Sequence, residues 1–170
     1  MWFFLRWLAI AGLGIGIMAS DTTARDLENT IYLDLKDGRV VIELRPDLAP
    51  NHVARIKELT REGFSDGLKW HRVIDGFMAQ TGDPKGVGIG GSGQNIKAEF
   101  SGKSHVRGTV SMARSQKPDS ADSQFFIVFA PSSWLDRQYT VWGQVAEGMD
   151  FVDQIKKGDG QSGRVKDPDV

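Results

Sequence analysis

The sequence predicts a mostly β protein, a closed antiparallel β-barrel capped by two α-helices. Three observations carry that prediction. Short strand-like apolar runs recur along the chain, glycines separate them, and helical periodicity surfaces only twice. With 20 glycines in 170 residues, about 12% against a usual ~7%, much of the chain must be turns. A length of 170 residues suits a single core.

The first element is a hairpin. Ile31, Leu33 and Leu35 share one face of a first run, and Val40, Ile42 and Leu44 share one face of a second. Between them, Asp37-Gly38 offers the positive-φ residues of a tight primed turn. Next, Pro50 fits the first turn of a helix, Val53, Ile56 and Leu59 recur at near-helical spacing, and Gly63 can end it in the left-handed region. The pattern predicts a helix over 50–62. Glycine-bounded runs at 68–74, 76–80, 96–100, 108–114, 124–129 and 139–145 then read as strands. Met149, Val152 and Ile155, with Gly158 behind them, give the second helix.

Composition removes several classes of function. Lys plus Arg number 21 against 22 Asp plus Glu, so no global field draws the chain onto nucleic acid. There is no cysteine, hence no disulfide, thiolate metal site or cysteine nucleophile. His52, His71 and His105 are too widely spaced to suggest a metal site, and generic packing or surface roles are expected of them. Residues 86–93 contain two overlapping matches to the dinucleotide glycine pattern. They lack the preceding strand and following helix that pattern needs, so a flexible glycine loop is the reading. Ser92 lacks the closing glycine of a nucleophile elbow.

Residues 1–18 are apolar except for Arg6, and small Ala19 and Ser20 precede Asp21. That reads as a secretory signal over 1–20, with the mature chain starting near Asp21. A membrane anchor is the alternative if the segment stays uncleaved, since Ile17 and Met18 are large for a cleavage site. Residues 21–29 read as a polar tether, and 30–170 as the folded domain.

The run Trp70-His71-Arg72-Val73-Ile74-Asp75-Gly76-Phe77-Met78-Ala79-Gln80-Thr81-Gly82-Asp83 is the most informative. With Gly108 to Arg114, Asp122 to Ile127, Trp134-Leu135-Asp136 and Tyr139 to Gly143, it resembles the cyclophilins, peptidyl-prolyl cis-trans isomerases that bind cyclosporin. The likeness spans about residues 29–157, departs from the signature in having Trp70 for phenylalanine, and looks closest to compact bacterial members. It implies a cyclophilin-like barrel, rotation about X-Pro bonds of unfolded or extended chains, and proline-containing polypeptides as partners. Cyclosporin is a further expected ligand, no cofactor or metal is implied, and a membrane enters only through an uncleaved leader. With the signal, the resemblance implies a periplasmic or secreted folding enzyme. A non-catalytic peptide-binding or chaperone module using the same groove is the alternative.

By the same resemblance Arg72 is the catalytic residue. Phe77, Met78, Phe126 and Leu135 form the proline slot, and Gln80 binds substrate backbone and orients Arg72. Ala113 and Arg114 pair with the extended peptide, Gln124 lies beside them, and Trp134 and Tyr139 line the rim and wall. Arg114 replaces a family asparagine and Tyr139 a family histidine. Cyclophilins also close the barrel with a final apolar strand after the second helix. Residues 156–170 hold glycine, charge and proline, with only Val165 and Val170 apolar, so no strand can be drawn there. The closing strand is therefore expected to be missing, the chain truncated, and the run 31–35 left with an unpaired edge.

Overall fold

In the computed structural model, which describes residues 25–170, the hairpin pairs β1 (Thr30–Leu35) with β2 (Gly38–Leu44), from Thr30↔Glu43 to Leu35↔Gly38. The predicted signal and the start of the tether lie outside the described residues. Of the tether, Asp26 caps a short turn at Leu27–Asn29, and Lys57 Nζ donates to Glu28 at 2.9 Å and to Asn29 at 3.0 Å. The hairpin turn is Lys36-Asp37, one residue earlier than expected, and neither residue has positive φ. Gly38 instead opens β2, where a Cβ would lie 2.5 Å from the Phe151 ring. Close approach, rather than turn conformation, requires that glycine.

Helix α1 (Pro50–Arg61) buries His52, Val53, Ile56 and Leu59 as one stripe. Its N-cap, Ala49, has no side chain to offer the first amides. Glu99 does so from a distant loop, accepting from the backbone N–H of Asn51 at 3.1 Å and of His52 at 3.0 Å, while His52 Nδ1 lies 2.6 Å from its other contact, Oε2. The segment expected as a strand at 96–100 is therefore not one. Only Ile96 bridges, to Ala121, while Asp119 accepts from Ala98 N–H and Thr140 from Glu99 N–H, so side chains take the bonds a ladder would have used.

The remaining strands are β3 (Arg72–Ile74), β4 (Met78–Thr81), β5 (Thr109–Met112), β6 (Phe125–Val128) and β7 (Val141–Glu147), followed by α2 (Met149–Asp153). All pairings are antiparallel, in the order β1-β2-β7-β5-β6-β4-β3. One face of the curved sheet, with Val40, Ile42, Val73, Ala79, Val110, Met112, Ile127 and Trp142, packs against Val53 and Ile56 of α1 and Val152 and Ile155 at α2. Phe125 sits edge-on between Trp70 and Trp142, with ring centroids 6.2 and 5.4 Å away.

The two end strands, β1 and β3, do not pair, so the barrel is open rather than closed. Residues 158–169 form no strand, in line with the sequence reading, but they run beside β3. Val73 N–H donates to Gly163, Gly158 N–H to Val73, Val165 N–H to His71, and Trp70 N–H to Asp169. The far edge of β1 is unpaired among the described residues. A cavity of about 300 Å³ separates Ile31, Leu33 and Leu35 from Trp70, Trp142 and Val170. No helix among the described residues is long and apolar enough to cross a membrane.

Candidate active site

Strand register builds the site. Arg72 on β3 lies opposite Gln80 on β4, and Gln80 lies opposite Phe126 on β6. Residues paired in register point to the same face, so these three form a row across the sheet. Their chain neighbours Val73, Ala79, Phe125 and Ile127 point the other way, into the core. A second apolar cluster, made of Met78, Phe126, Val128 and Leu135 with Ile74, Phe77, Ala113 and Tyr139 around it, thus sits on the outer face beside Arg72.

A groove of about 660 Å³ opens over that face. Its walls include ten of the eleven residues expected from sequence: Arg72, Phe77, Met78, Gln80, Ala113, Arg114, Phe126, Trp134, Leu135 and Tyr139. The eleventh, Gln124, lines an adjoining cavity of about 400 Å³, which shares Gln80, Ala113 and Arg114 with the first. Phe126 meets Tyr139 edge to face at 5.7 Å, and Phe77 packs on Trp134 at 5.5 Å. Trp134, 59% exposed, stands on the rim.

A chain of hydrogen bonds orients the arginine. Arg72 Nη1 donates to Gln80 Oε1 at 3.2 Å, Gln80 Nε2 donates to Gln124 Oε1 at 2.9 Å, and Gln124 Nε2 donates to the Gly90 carbonyl at 2.8 Å. From the other side Arg72 Nε donates to the Ser162 carbonyl at 3.2 Å. Burial lowers the pKa of the Arg72 guanidinium, with the Tyr139 phenol acting oppositely. An arginine starts so high that it remains a cation. Its acceptors are neutral, so the charge stays available to a ligand.

Behind the apolar wall, His105 is buried. Its Nδ1 lies 2.9 Å from Asp136 Oδ1 and its Nε2 lies 3.1 Å from the Ser111 hydroxyl, and its ring stacks on Phe126 at 6.3 Å. His52 and His105 thus serve packing, as expected. His71 is different, because it is buried in the groove wall with neither ring nitrogen hydrogen-bonded among the described residues, and burial depresses its pKa.

Sequence reasoning missed two parts of the site. The glycine loop read as flexible is tied down by Asp83, which accepts from the N–H groups of Lys85, Val87, Gly88 and Ile89. Burial alone would raise the Asp83 pKa, but these donors bring it to about 2. Gly86, Val87 and Gly88 thereby become a wall of the groove. An aspartate just ahead of a glycine run was the available signal. The second part is the segment with Ser162, Arg164 and Val165, which lines the groove from beside β3. Among the described residues no cluster of His, Asp and Glu could hold a metal ion.

An apolar slot, an arginine beside it held by neutral acceptors and a groove of about 660 Å³ that joins a second cavity define a peptide-binding class of site. The family model described as "Cyclophilin type peptidyl-prolyl cis-trans isomerase/CLD" matches residues 30–170, and the chain belongs to that family of peptidyl-prolyl cis-trans isomerases. A Brucella suis protein named "Probable peptidyl-prolyl cis-trans isomerase" is 55% identical over 174 residues, covering 95% of this chain and 88% of its own. "Peptidyl-prolyl cis-trans isomerase B" of Bacillus subtilis is 45% identical over 133 residues, covering 76% and 92%. A Cryptosporidium parvum cyclophilin crystallised in the presence of the dipeptide Ala-Pro superposes with a TM-score of 0.75 at 26% identity, over 83% of this chain and 94% of that one. A Hirschia baltica cyclophilin superposes at 0.74 with 30% identity, over 84% and 71%.

Proposed function

We propose that this isomerase turns X-Pro bonds of extended polypeptides outside the cytoplasm, with Arg72 as its catalytic residue. A peptide C–N bond rotates slowly because resonance gives it partial double-bond character, with a barrier of about 18–20 kcal/mol. No bond has to break. The two isomers of an X-Pro bond lie within roughly 1 kcal/mol, so a catalyst need only bind the twisted state better than either planar one. Twisting returns a lone pair to the prolyl nitrogen, and a fixed donor aimed at that lone pair withdraws it from resonance. A barrier lowered by about 7 kcal/mol gives roughly 10⁵ in rate.

The observation that carries the reading is the Arg72 guanidinium, held on two sides by Gln80 and the Ser162 carbonyl beside the slot of Phe77, Met78, Phe126 and Leu135. The slot takes the proline ring and keeps water off the contact, which strengthens it. Ala113, Arg114 and Gln124 take the flanking backbone. Trp134, with an indole N–H at the rim, supports cyclosporin as a ligand. The apolar segment 1–20 supports export, with the enzyme released near residue 21 or held by that segment.

A protease-coupled assay on a short X-Pro peptide tests the reading. Arg72→Ala should lower kcat/KM by about 10²-fold or more while peptide binding largely survives, the range seen when one preorganised donor is lost. Cyclosporin should silence the wild type. Retention of more than about half the wild-type kcat/KM, under ~0.4 kcal/mol, defeats the role of Arg72.

A further inference from the structure

Outside the groove, every described arginine but Arg137 is neutralised. Arg25, Arg39, Arg45, Arg55, Arg61 and Arg107 each face a carboxylate at ion-pair distance. Among the described residues, the three arginines of the groove, Arg72, Arg114 and Arg164, face none. Arg72 has Gln80 and the Ser162 carbonyl. Arg114 donates to the carbonyls of Gln138, Ser115 and Gln116 and lies over the Tyr139 and Phe100 rings, at 4.8 and 5.6 Å. Arg164 is exposed, and its side chain has no hydrogen bond or ion pair among the described residues. Arg137, also unpaired there, does not line the groove.

Among the described residues no Asp or Glu lines the groove either. Of the carboxylates around it, Asp83 is occupied by four backbone amides and Asp122, in the adjoining cavity, by Ser92 and Gly93, while Asp159, which bridges to Arg164 through the backbone, makes no ion pair with it. A chain of 21 cations and 22 anions has thus collected three uncompensated guanidinium groups around one peptide-sized groove. Low-dielectric walls concentrate such a field.

The three arginines are not equivalent. Arg72 is committed beside the slot, and Arg114 is spread over two rings and three carbonyls. Arg164 has a fixed backbone and a free head. Its carbonyl accepts from Asp159 N–H at 3.0 Å, it bridges to Arg72, and Gly163 before it is wedged so closely that a Cβ would lie 2.4 Å from Ile74 Cγ1.

We propose that the groove selects X-Pro segments carrying a carboxylate beside the proline, and that Arg164 reads it. This rests on the isomerase reading above and assigns its substrate class. A guanidinium fork takes a carboxylate through two parallel hydrogen bonds, and the rim position leaves the acid partly solvated, so the gain is modest.

The test is NMR exchange spectroscopy on short X-Pro peptides with Glu, Gln or Lys before or after the proline, using the full chain. At ~20 mM salt, kcat/KM for Glu at one of the two positions should exceed that for Lys by about fivefold, and the ratio should shrink toward one at ~500 mM salt. Arg164→Gln should bring the ratio near one, and Arg164→Glu should invert it, with circular dichroism checking that both variants are folded. Equal turnover of Glu and Lys peptides at both positions overturns the proposal while leaving the isomerase reading intact. A preference that survives both variants removes Arg164 as the reader. Absence of turnover with every peptide overturns the isomerase reading and this proposal together.

Discussion

Replacing Asp83 by asparagine is the sharpest probe of how the groove wall is held. The carboxylate, 1% exposed, accepts from four backbone amides, and its pKa falls from 3.8 to about 2. The folded value lies below the unfolded one, so the ionised group stabilises the fold fully above pH ~4, and that contribution drains away as pH falls from about 4 to about 2. That fall corresponds to about 2 kcal/mol of stability at neutral pH. Asp83→Asn leaves one acceptor oxygen and turns an NH2 toward the amides, so it should lose at least that much at pH 7. Denaturant unfolding followed by tryptophan fluorescence, at pH 7 and in steps to pH 2.5, measures it. The gap between wild type and variant should be about 2 kcal/mol at pH 7 and narrow below pH 4 as the wild type loses its own charge. A gap under ~0.5 kcal/mol at pH 7, or one unchanged down to pH 2.5, refutes the account of Asp83 as the anion that holds the loop.

Two further outcomes follow from particular contacts. Gln80→Ala breaks the chain from Arg72 to the Gly90 carbonyl, and kcat should fall by roughly tenfold, the effect of one hydrogen bond to a charged group; wild-type kcat in the peptide assay would show that Arg72 needs no such support. Gly38→Ala drives a methyl to 2.5 Å from the Phe151 ring and should cost about 1–3 kcal/mol in thermal unfolding, with much of the loss relieved when Phe151→Ala is added; strictly additive losses would mean that the ring is not what requires the glycine.

What could be read from the sequence was whatever local periodicity controls. Alternation at Ile31, Leu33 and Leu35, the Pro50 start and the apolar stripe of α1 all reappear, because each depends on neighbours within a few residues. The need for glycine at position 38, next to the Lys36-Asp37 turn, and the missing strand at 96–100 were decided by partners far along the chain, Phe151 in one case and Asp119 and Thr140 in the other. The second helix shrank to Met149–Asp153, although Ile155 still reaches the core. In the site, a family-like spacing located every residue on β3, β4 and β6, whose strand register turns spacing into contact. Ser162 and Arg164 escaped notice because their position beside β3 comes from backbone bonds across some ninety residues, as in Arg72 to Ser162.

The bond from Glu99 to the start of α1 bears on the order in which this chain organises itself. A helix of 12 residues is marginal alone, and its costliest stretch is the first turn, whose amides have no partners within the helix. Here those partners arrive from 47 or 48 residues downstream. The amides of Asn51 and His52 should then exchange with deuterium in step with the loop that carries Glu99, while residues in the middle of the helix keep their own schedule. Nucleation of α1 becomes a late, collective event, linked to the docking of a segment that has no regular structure of its own.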